Sequence, residues 1–324
     1  MTFLSASARV EAPAFVQLHH EDRAALRAEL AAGLLAGAAM IAPKFFYDTL
    51  GSRLFEAITE LDEYYPTRTE AAVFERHRLD IARAIGSGQT LVDLGAGNCA
   101  KAASLFEAMA PRRYVAVDIS VEFLRRALTD LQTRHPTLPM LGVGQDFSQR
   151  LQLPPQAGDG PRLMFYPGSS IGNFTPAGAA DFLRQVRGEM QGGALLIGVD
   201  LVKPTAVLQA AYDDPLGVTA AFNLNVLRNV NRLLGSDFDV AQWQHVAYFD
   251  TVQSRIEMHL QARGDVAVTW PGAQRQFHAG DRLHTENSCK YSVEGFDALL
   301  RAAGYTTIRC WTDTKAWFAV FLAS

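Results

Sequence analysis

Cysteine is scarce. Cys99, Cys289 and Cys310 are the only three in 324 residues, and they stand far apart. That spacing excludes a disulfide framework and a CxxC metal knuckle, and it suits a reducing cytoplasm. The eight histidines form no HExxH or H-x-H pattern, so no metal site is expected. Charge of one sign is lacking too: a formal net charge of −4 supplies no field for holding nucleic acid or an anionic membrane. Long hydrophobic runs are absent. The apolar stretch 31–41 falls short of the roughly 20 residues that span a bilayer, and a buried or half-buried helix is expected there. No basic segment followed by an apolar one stands at the amino terminus, so no signal peptide is expected. What is present, 48% hydrophobic and 20% charged residues, suffices for a substantial core in one large or two ordinary domains.

The most informative stretch is 90–101, TLVDLGAGNCAK. Leu91, Val92 and Leu94 form a short apolar run, interrupted by Asp93, as in a strand buried on both faces. Gly95-Ala96-Gly97 follows, and then a helix-compatible segment from Lys101. Strand, glycine turn and helix start present backbone N–H groups to a nucleotide-like ligand. Glycine at 95 and 97 lets that ligand approach the backbone without a Cβ in the way. The spacing Gly95-x-Gly97-x-x-Ala100 fits dinucleotides equally well, so the turn alone does not choose its ligand.

Along the chain, residues 1–20 look irregular, and His20-Glu21-Asp22-Arg23 is expected to begin an alanine-rich helix to about Gly37. Pro66 disfavours helix at Tyr65. The helix through 71–77 is therefore expected to start from a Thr67 or Thr69 cap. Residues 114–118 read as a second buried strand ending in Asp118, about 20 residues past the glycines, where such folds place an acid on the ribose hydroxyls. The alternative for Asp118 is a helix N-cap for 121–129. A weaker strand at 140–143 precedes Asp146 and Phe147, a carboxylate and a ring suited to the edge and face of an adenine. A fourth strand at 162–166 runs into Gly168, Ser169, Ser170, Gly172 and Asn173, at the edge where open α/β sheets bind ligands.

A helix at 182–190 and a strand at 194–202 complete an alternation that predicts a parallel sheet with right-handed crossovers. From Lys203 to about Glu286 the rhythm breaks. Helices are expected near 206–212 and 218–233, and strands at 245–250, 254–261 and 265–270. A helix at 292–303, capped by Ser292 with Glu294 in its first turn, then leads to strands at 306–311 and 316–322. The link between them, Thr312-Asp313-Thr314-Lys315, suits an antiparallel hairpin and is too short for a parallel crossover, which needs a dozen residues or more. A parallel sheet closed by such a hairpin is the S-adenosylmethionine (SAM)-dependent variant of this architecture, whereas NAD-binding domains normally lack it. The expected fold is α/β: a class I SAM-dependent methyltransferase sheet, doubly wound and mainly parallel, over 69–202 and 291–324. An α+β substrate-binding lobe from 1–68 and 203–290 would cover its carboxyl edge.

Several ordered motifs carry a resemblance. They are FYDTLGSRLF from Phe46, EYYPTRTE from Glu63, PGSSIGN from Pro167, AYDDPLGVTAAFN from Ala211, IEM from Ile256 and HTENSCK from His284. From Pro43 to the carboxyl terminus the chain resembles the histidine Nα-methyltransferases of ergothioneine biosynthesis. The resemblance implies SAM held by Gly95, Lys101, Asp118, Asp146 and Phe147, with Gly97 in the same turn. It implies Asn173 and Tyr212 on the amino-acid carboxylate and Gly168 near the α-amine. Tyr64, Glu286 and Ser288 would form the imidazole pocket, with Met258 lining it, and Tyr47 would lie close to the amine.

Those residue types suit those tasks. An amide and a phenol are neutral donors for a carboxylate, and a carboxylate paired with a hydroxyl can engage both nitrogens of an imidazole. Taken singly, Asn173 also suits a helix cap, Glu286 an exposed strand end and Tyr212 the core. The implied reaction is three successive methyl transfers to L-histidine, giving hercynine, with no residue essential as acid or base and no metal. The expected partner is a small amino acid, with no nucleic acid and no membrane; the sequence leaves the oligomeric state open, a monomer included. The same fold acting on tryptophan or another aromatic amino acid is the alternative. More distant are an NAD-linked oxidoreductase and an inactive scaffold, the latter opposed by the presence of Asp118, Asn173, Tyr212 and Glu286.

Overall fold

The computed structural model describes residues 12–18, 23–148 and 150–324. Most of residues 1–20, and His20–Asp22 of the expected first helix, lie outside the described residues. The chain runs β1 (Ala14–Gln17), α1 (Arg23–Leu35), α2 (Thr49–Thr59), α3 (Tyr65–Ile85), β2 (Thr90–Leu94), α4 (Ala100–Ala103) and α5 (Phe106–Met109). It continues through β3 (Arg113–Asp118), α6 (Val121–Arg134), β4 (Met140–Gly144), β5 (Arg162–Tyr166), α7 (Pro176–Glu189) and β6 (Ala194–Asp200). The later elements are α8 (Thr205–Ala210), α9 (Val218–Leu234), β7 (Trp243–Asp250), β8 (Arg255–Ala262), β9 (Val266–Trp270), β10 (Ala273–Phe277), β11 (Arg282–Cys289), α10 (Val293–Ala302), β12 (Ile308–Thr312) and β13 (Phe318–Ala323).

The large sheet has the order β1-β4-β3-β2-β5-β6-β13-β12. Strands β1 to β6 pair in parallel, and β2, β4 and β5 are buried along their whole length, as strands covered on both faces must be. One face packs Val92, Val115 and Met164 under α7 and α10, the other Leu91, Tyr114 and Phe165 under α3 and α6. At the carboxyl end, β12 and β13 form the expected antiparallel hairpin, and β13 returns antiparallel to β6. Ser292 caps α10 by accepting from the Gly295 amide at 2.9 Å. The strand order reverses between β2 and β5, which opens a crevice beyond their carboxyl ends.

Two local readings are corrected. Residues 14–17, expected to be irregular and part of the second lobe, form β1 and extend the large sheet by parallel pairing with β4. The physical reason is glycine: Phe15 sits opposite Gly142, where a Cβ would fall 2.2 Å from its ring. The helix expected to start at Thr67 or Thr69 starts at Tyr65, with Pro66 in its first turn and no side-chain cap. Proline costs nothing there because the first-turn amides have no helical partner.

Beyond β6 the chain builds an antiparallel sheet, β11-β8-β7, and a hairpin, β9-β10. Strands β10 and β11 were not foreseen in the sequence. A third core joins Leu34, Phe46 and Tyr64 from the start of the chain to Phe222, Val226, Trp243 and Met258. Among the described residues no helix is long and apolar enough to cross a membrane.

Candidate active site

The glycine turn is built against β3. The amides of Gly95 and Ala96 both donate to the Val117 carbonyl, at 2.9 and 3.1 Å. Gly95 and Gly97 have φ of +73° and +52°, in the left-handed region that favours glycine. Asp118, at the end of β3, accepts from the Gly97 amide through Oδ2 at 2.9 Å and from the Ser120 amide through Oδ1 at 2.8 Å. It thus joins the turn to the residue before α6; that helix is capped at Ser120 with no side-chain bond, so Asp118 is not its N-cap and its carboxylate has lone pairs left for a ligand. Burial pushes its pKa up, against the pull of those amides.

Asp146 and Phe147 follow β4. A Cβ on Gly95 would lie 3.7 Å from the Phe147 ring, so the ring stands beside the turn. Asp146 Oδ2 accepts from Lys44 Nζ at 3.0 Å, and Lys44 also pairs with Glu29 at 2.8 Å. Burial raises the Asp146 pKa, but hydrogen bonds from Ser148 and Lys44 outweigh it and hold the carboxyl below its usual range. Lys101 donates to Glu70 Oε2 at 2.6 Å, while Glu70 Oε1 accepts from the Gly168 amide at 2.7 Å. One buried carboxylate therefore ties the helix after the turn to the loop after β5.

A cavity with about 510 Å³ of empty space, including its mouth, opens beside that loop. Its lining includes Tyr47, Tyr64, Gly168, Asn173, Tyr212, Met258, Glu286 and Ser288, the whole set expected to contact the substrate. Of the six expected cofactor residues, five lie at or just past the carboxyl ends of β2, β3 and β4 and Lys101 lies in α4, from which it is tied through Glu70 to the cavity loop. Each lining group has its own scaffold. Tyr47 ends the 3-10 turn Pro43–Phe46, Tyr64 precedes α3, and Asn173 closes the 3-10 turn Ser170–Asn173. Asn173 is not the cap of α7; Thr175 is, accepting from the Gly178 amide at 3.1 Å.

Strand β11 contributes two groups through a register shift. His284 pairs with His259, but Glu286 pairs with Met258, leaving Thr285 as an extra residue. Such a bulge re-aims the side chains that follow it. Glu286 and Ser288 consequently share the cavity with Met258 of β8. Glu286 is buried rather than exposed, and burial raises its pKa to about 7, with Lys290 pulling the other way. Tyr212 Oη lies 2.7 Å from Ser288 Oγ, so Tyr212 is a polar wall and not mere packing. Burial pushes the phenols of Tyr47, Tyr64 and Tyr212 well above 10, so all three are neutral donors. Tyr47, Phe55 and Phe222 form an aromatic wall with ring centroids 5.9 to 6.0 Å apart.

Three charged residues behind the site had no assigned role: Glu70, Asp200 and Lys290. Glu70 and Lys290 close two of the quoted motifs, and a charge inside an otherwise site-forming motif was the available signal. Their partners lie far off in sequence, so only the folded chain shows what they do. Among the described residues no group of three metal-binding side chains is present.

A mainly parallel sheet with a glycine turn and acid on adjacent strands, a crevice at its switch point and an antiparallel terminal hairpin define a methyltransferase of class I architecture. The sequence profile of histidine-specific, SAM-dependent methyltransferases matches residues 26–324, and the chain belongs to that family. It is 42% identical over 306 residues to the histidine N-alpha-methyltransferase of Mycolicibacterium smegmatis, covering 92% of this chain and 94% of that one. To the enzyme of the same name from Mycobacterium tuberculosis it is 42% identical over 307 residues, covering 93% and 95%. A more distant relative, the 4-dimethylallyltryptophan N-methyltransferase of Arthroderma benhamiae, is 27% identical and covers 88% of each chain.

Proposed function

We propose that this protein transfers three methyl groups in succession from SAM to the α-amino nitrogen of L-histidine, giving hercynine. The observation that carries this reading is the meeting of Glu286 and Ser288 with Tyr212 and Asn173 in one cavity beside the sheet's switch point. SAM supplies an electrophilic methyl on a sulfonium. Gly95 and Gly97 offer backbone without side chains, and Asp118 has lone pairs left for the ribose hydroxyls. Phe147 and Asp146 take the adenine, and Lys101 the cofactor's charged end.

Asn173 and Tyr212 hold the amino acid's carboxylate, and Glu286 with Ser288 holds its imidazole. Clamped at both ends, the amine remains free to turn between transfers. Catalysis is then positioning, because an in-line displacement needs the nitrogen lone pair aimed at the methyl. No general base is required of the chain: the tyrosines stay protonated, the neutral-amine fraction attacks, and each methylated ammonium gives its proton to water before the next transfer. The aromatic wall of Tyr47, Phe55 and Phe222 suits an amine that ends as a quaternary cation. The chain divides accordingly into a SAM-binding part, 69–202 and 291–324, and a substrate-binding part, 203–290 with residues from 1–68 other than β1.

Incubation with isotopically labelled SAM and L-histidine, followed by mass spectrometry, tests the reading. Three methyl-sized mass steps on histidine and none on tryptophan are expected. Absence of any step on histidine rejects it.

A further inference from the structure

Lys290 does not line the cavity, yet two of its three ammonium protons end there. Its Nζ lies 2.7 Å from Ser288 Oγ, 3.0 Å from Tyr212 Oη and 2.8 Å from Asp200 Oδ2. An ammonium has no acceptor, so Ser288 and Tyr212 must both accept from it, while Asp200 balances its charge. Ser288 and Tyr212 both accept from Lys290 and lie 2.7 Å from one another, so one hydroxyl must donate to the other. Of the two hydroxyl protons, one remains. The cavity that both side chains line is the direction left to it.

The charge balance points the same way. Asp200 also accepts from Lys203 and from Tyr65 Oη, the latter at 2.6 Å. Two fully buried lysine side chains share that carboxylate, and of the two it is Lys290 that stands a single hydroxyl layer behind the cavity wall. Among the described residues that line the cavity, Glu286 is the one acidic or basic side chain. The backbone of Lys290 is itself clamped, its amide donating to the Ser254 carbonyl at 2.7 Å and its carbonyl accepting from Ser254 Oγ at 2.9 Å.

We infer that Lys290 is a positioning and specificity-determining residue: it orients the Tyr212–Ser288 hydroxyl pair so that a charge-assisted donor faces the substrate's carboxylate. Selection for an α-amino acid over the corresponding amine then depends on a lysine that never touches the substrate. This rests on the functional reading above. Hydrogen bonds that draw on a full charge are about twice as strong as neutral ones, so losing the lysine weakens a carboxylate ligand selectively.

The test compares L-histidine with histamine, which keeps the imidazole and the amine and lacks the carboxylate. Both are titrated calorimetrically, near neutral pH and with S-adenosylhomocysteine present, into the wild type and Lys290→Met. Histidine affinity is expected to fall by about 10- to 100-fold in the variant. Histamine, which still uses Ser288 through its imidazole but has no carboxylate for Tyr212, should lose clearly less affinity, so the preference narrows. Tyr212→Phe should show the same selective loss, and the double variant should lose little more than either alone. Unchanged S-adenosylhomocysteine affinity certifies the fold; if Lys290→Met does not fold, Lys290→Gln carries the same comparison.

A variant that keeps the histidine preference, or that loses both ligands equally, overturns the inference while leaving the function intact. A wild type that fails to bind histidine at all overturns both.

Discussion

Glu286 is a carboxylate held where water cannot solvate it, which makes a conservative substitution informative. In the free protein its pKa is raised from 4.5 to about 7, chiefly by burial. At 1.36 kcal/mol per unit, this corresponds to about 3 kcal/mol of destabilisation once the group is fully ionised. The sign follows from proton counting. Between 4.5 and 7 the folded state binds more protons than the unfolded state, so stability is greatest below that window and is lost as pH rises through it.

The groups facing Glu286 are Lys290 and the phenols of Tyr47, Tyr64 and Tyr212. None of the phenols titrates in the window. Glu286→Gln removes the ionisation while keeping the shape. Relative to wild type, the variant should gain about 2–3 kcal/mol between about pH 5 and about pH 8. Comparing the two pH values cancels the constant cost of burying an amide. Urea unfolding of both proteins without ligand measures it, and histidine affinity should fall in the same variant. Stability profiles that run parallel across this range would refute the claim that burial holds the carboxyl near neutrality.

Two further predictions concern the other half of the site. Asp118→Ala removes the acceptor for the Gly97 and Ser120 amides. It should cost about 1–2 kcal/mol of stability and weaken S-adenosylhomocysteine by about 100-fold in calorimetry. Retention of cofactor affinity within a few-fold would show that the ribose lies elsewhere. A Cβ on Gly172 would fall 2.8 Å from the Cys289 carbonyl oxygen, a backbone atom that cannot yield cheaply. Gly172→Ala should therefore push the loop of residues 168–173 away from β11. A loss of about 1–3 kcal/mol in thermal unfolding and a raised histidine KM with little change for the cofactor are expected. An unchanged melting temperature would show that the close approach is not a constraint.

Fold and site were legible to different depths. Strand β2, the glycine turn and Asp118 could be read because their signal is local: a short apolar run, two glycines and an acid at a fixed spacing. The terminal hairpin was legible from the length of one link. Strand β1 was not, since four residues without clear alternation become a strand only when Gly142 offers room for Phe15. The bulge at Thr285 was equally hidden, because it exists only as a mismatch between two strands.

Local pattern and motif suffice for the class of fold, the end of the sheet where ligands bind and the residues that line the cavity. How those residues are held depends on contacts that exist only in the folded chain. Glu70 meets Lys101 and Gly168 across separations of 31 and 98 residues, and Lys290 meets Tyr212 across 78. No periodicity encodes such contacts. They form because burial leaves a charged group no alternative to a partner, and which partner lies within reach is settled only when the cores have closed around it.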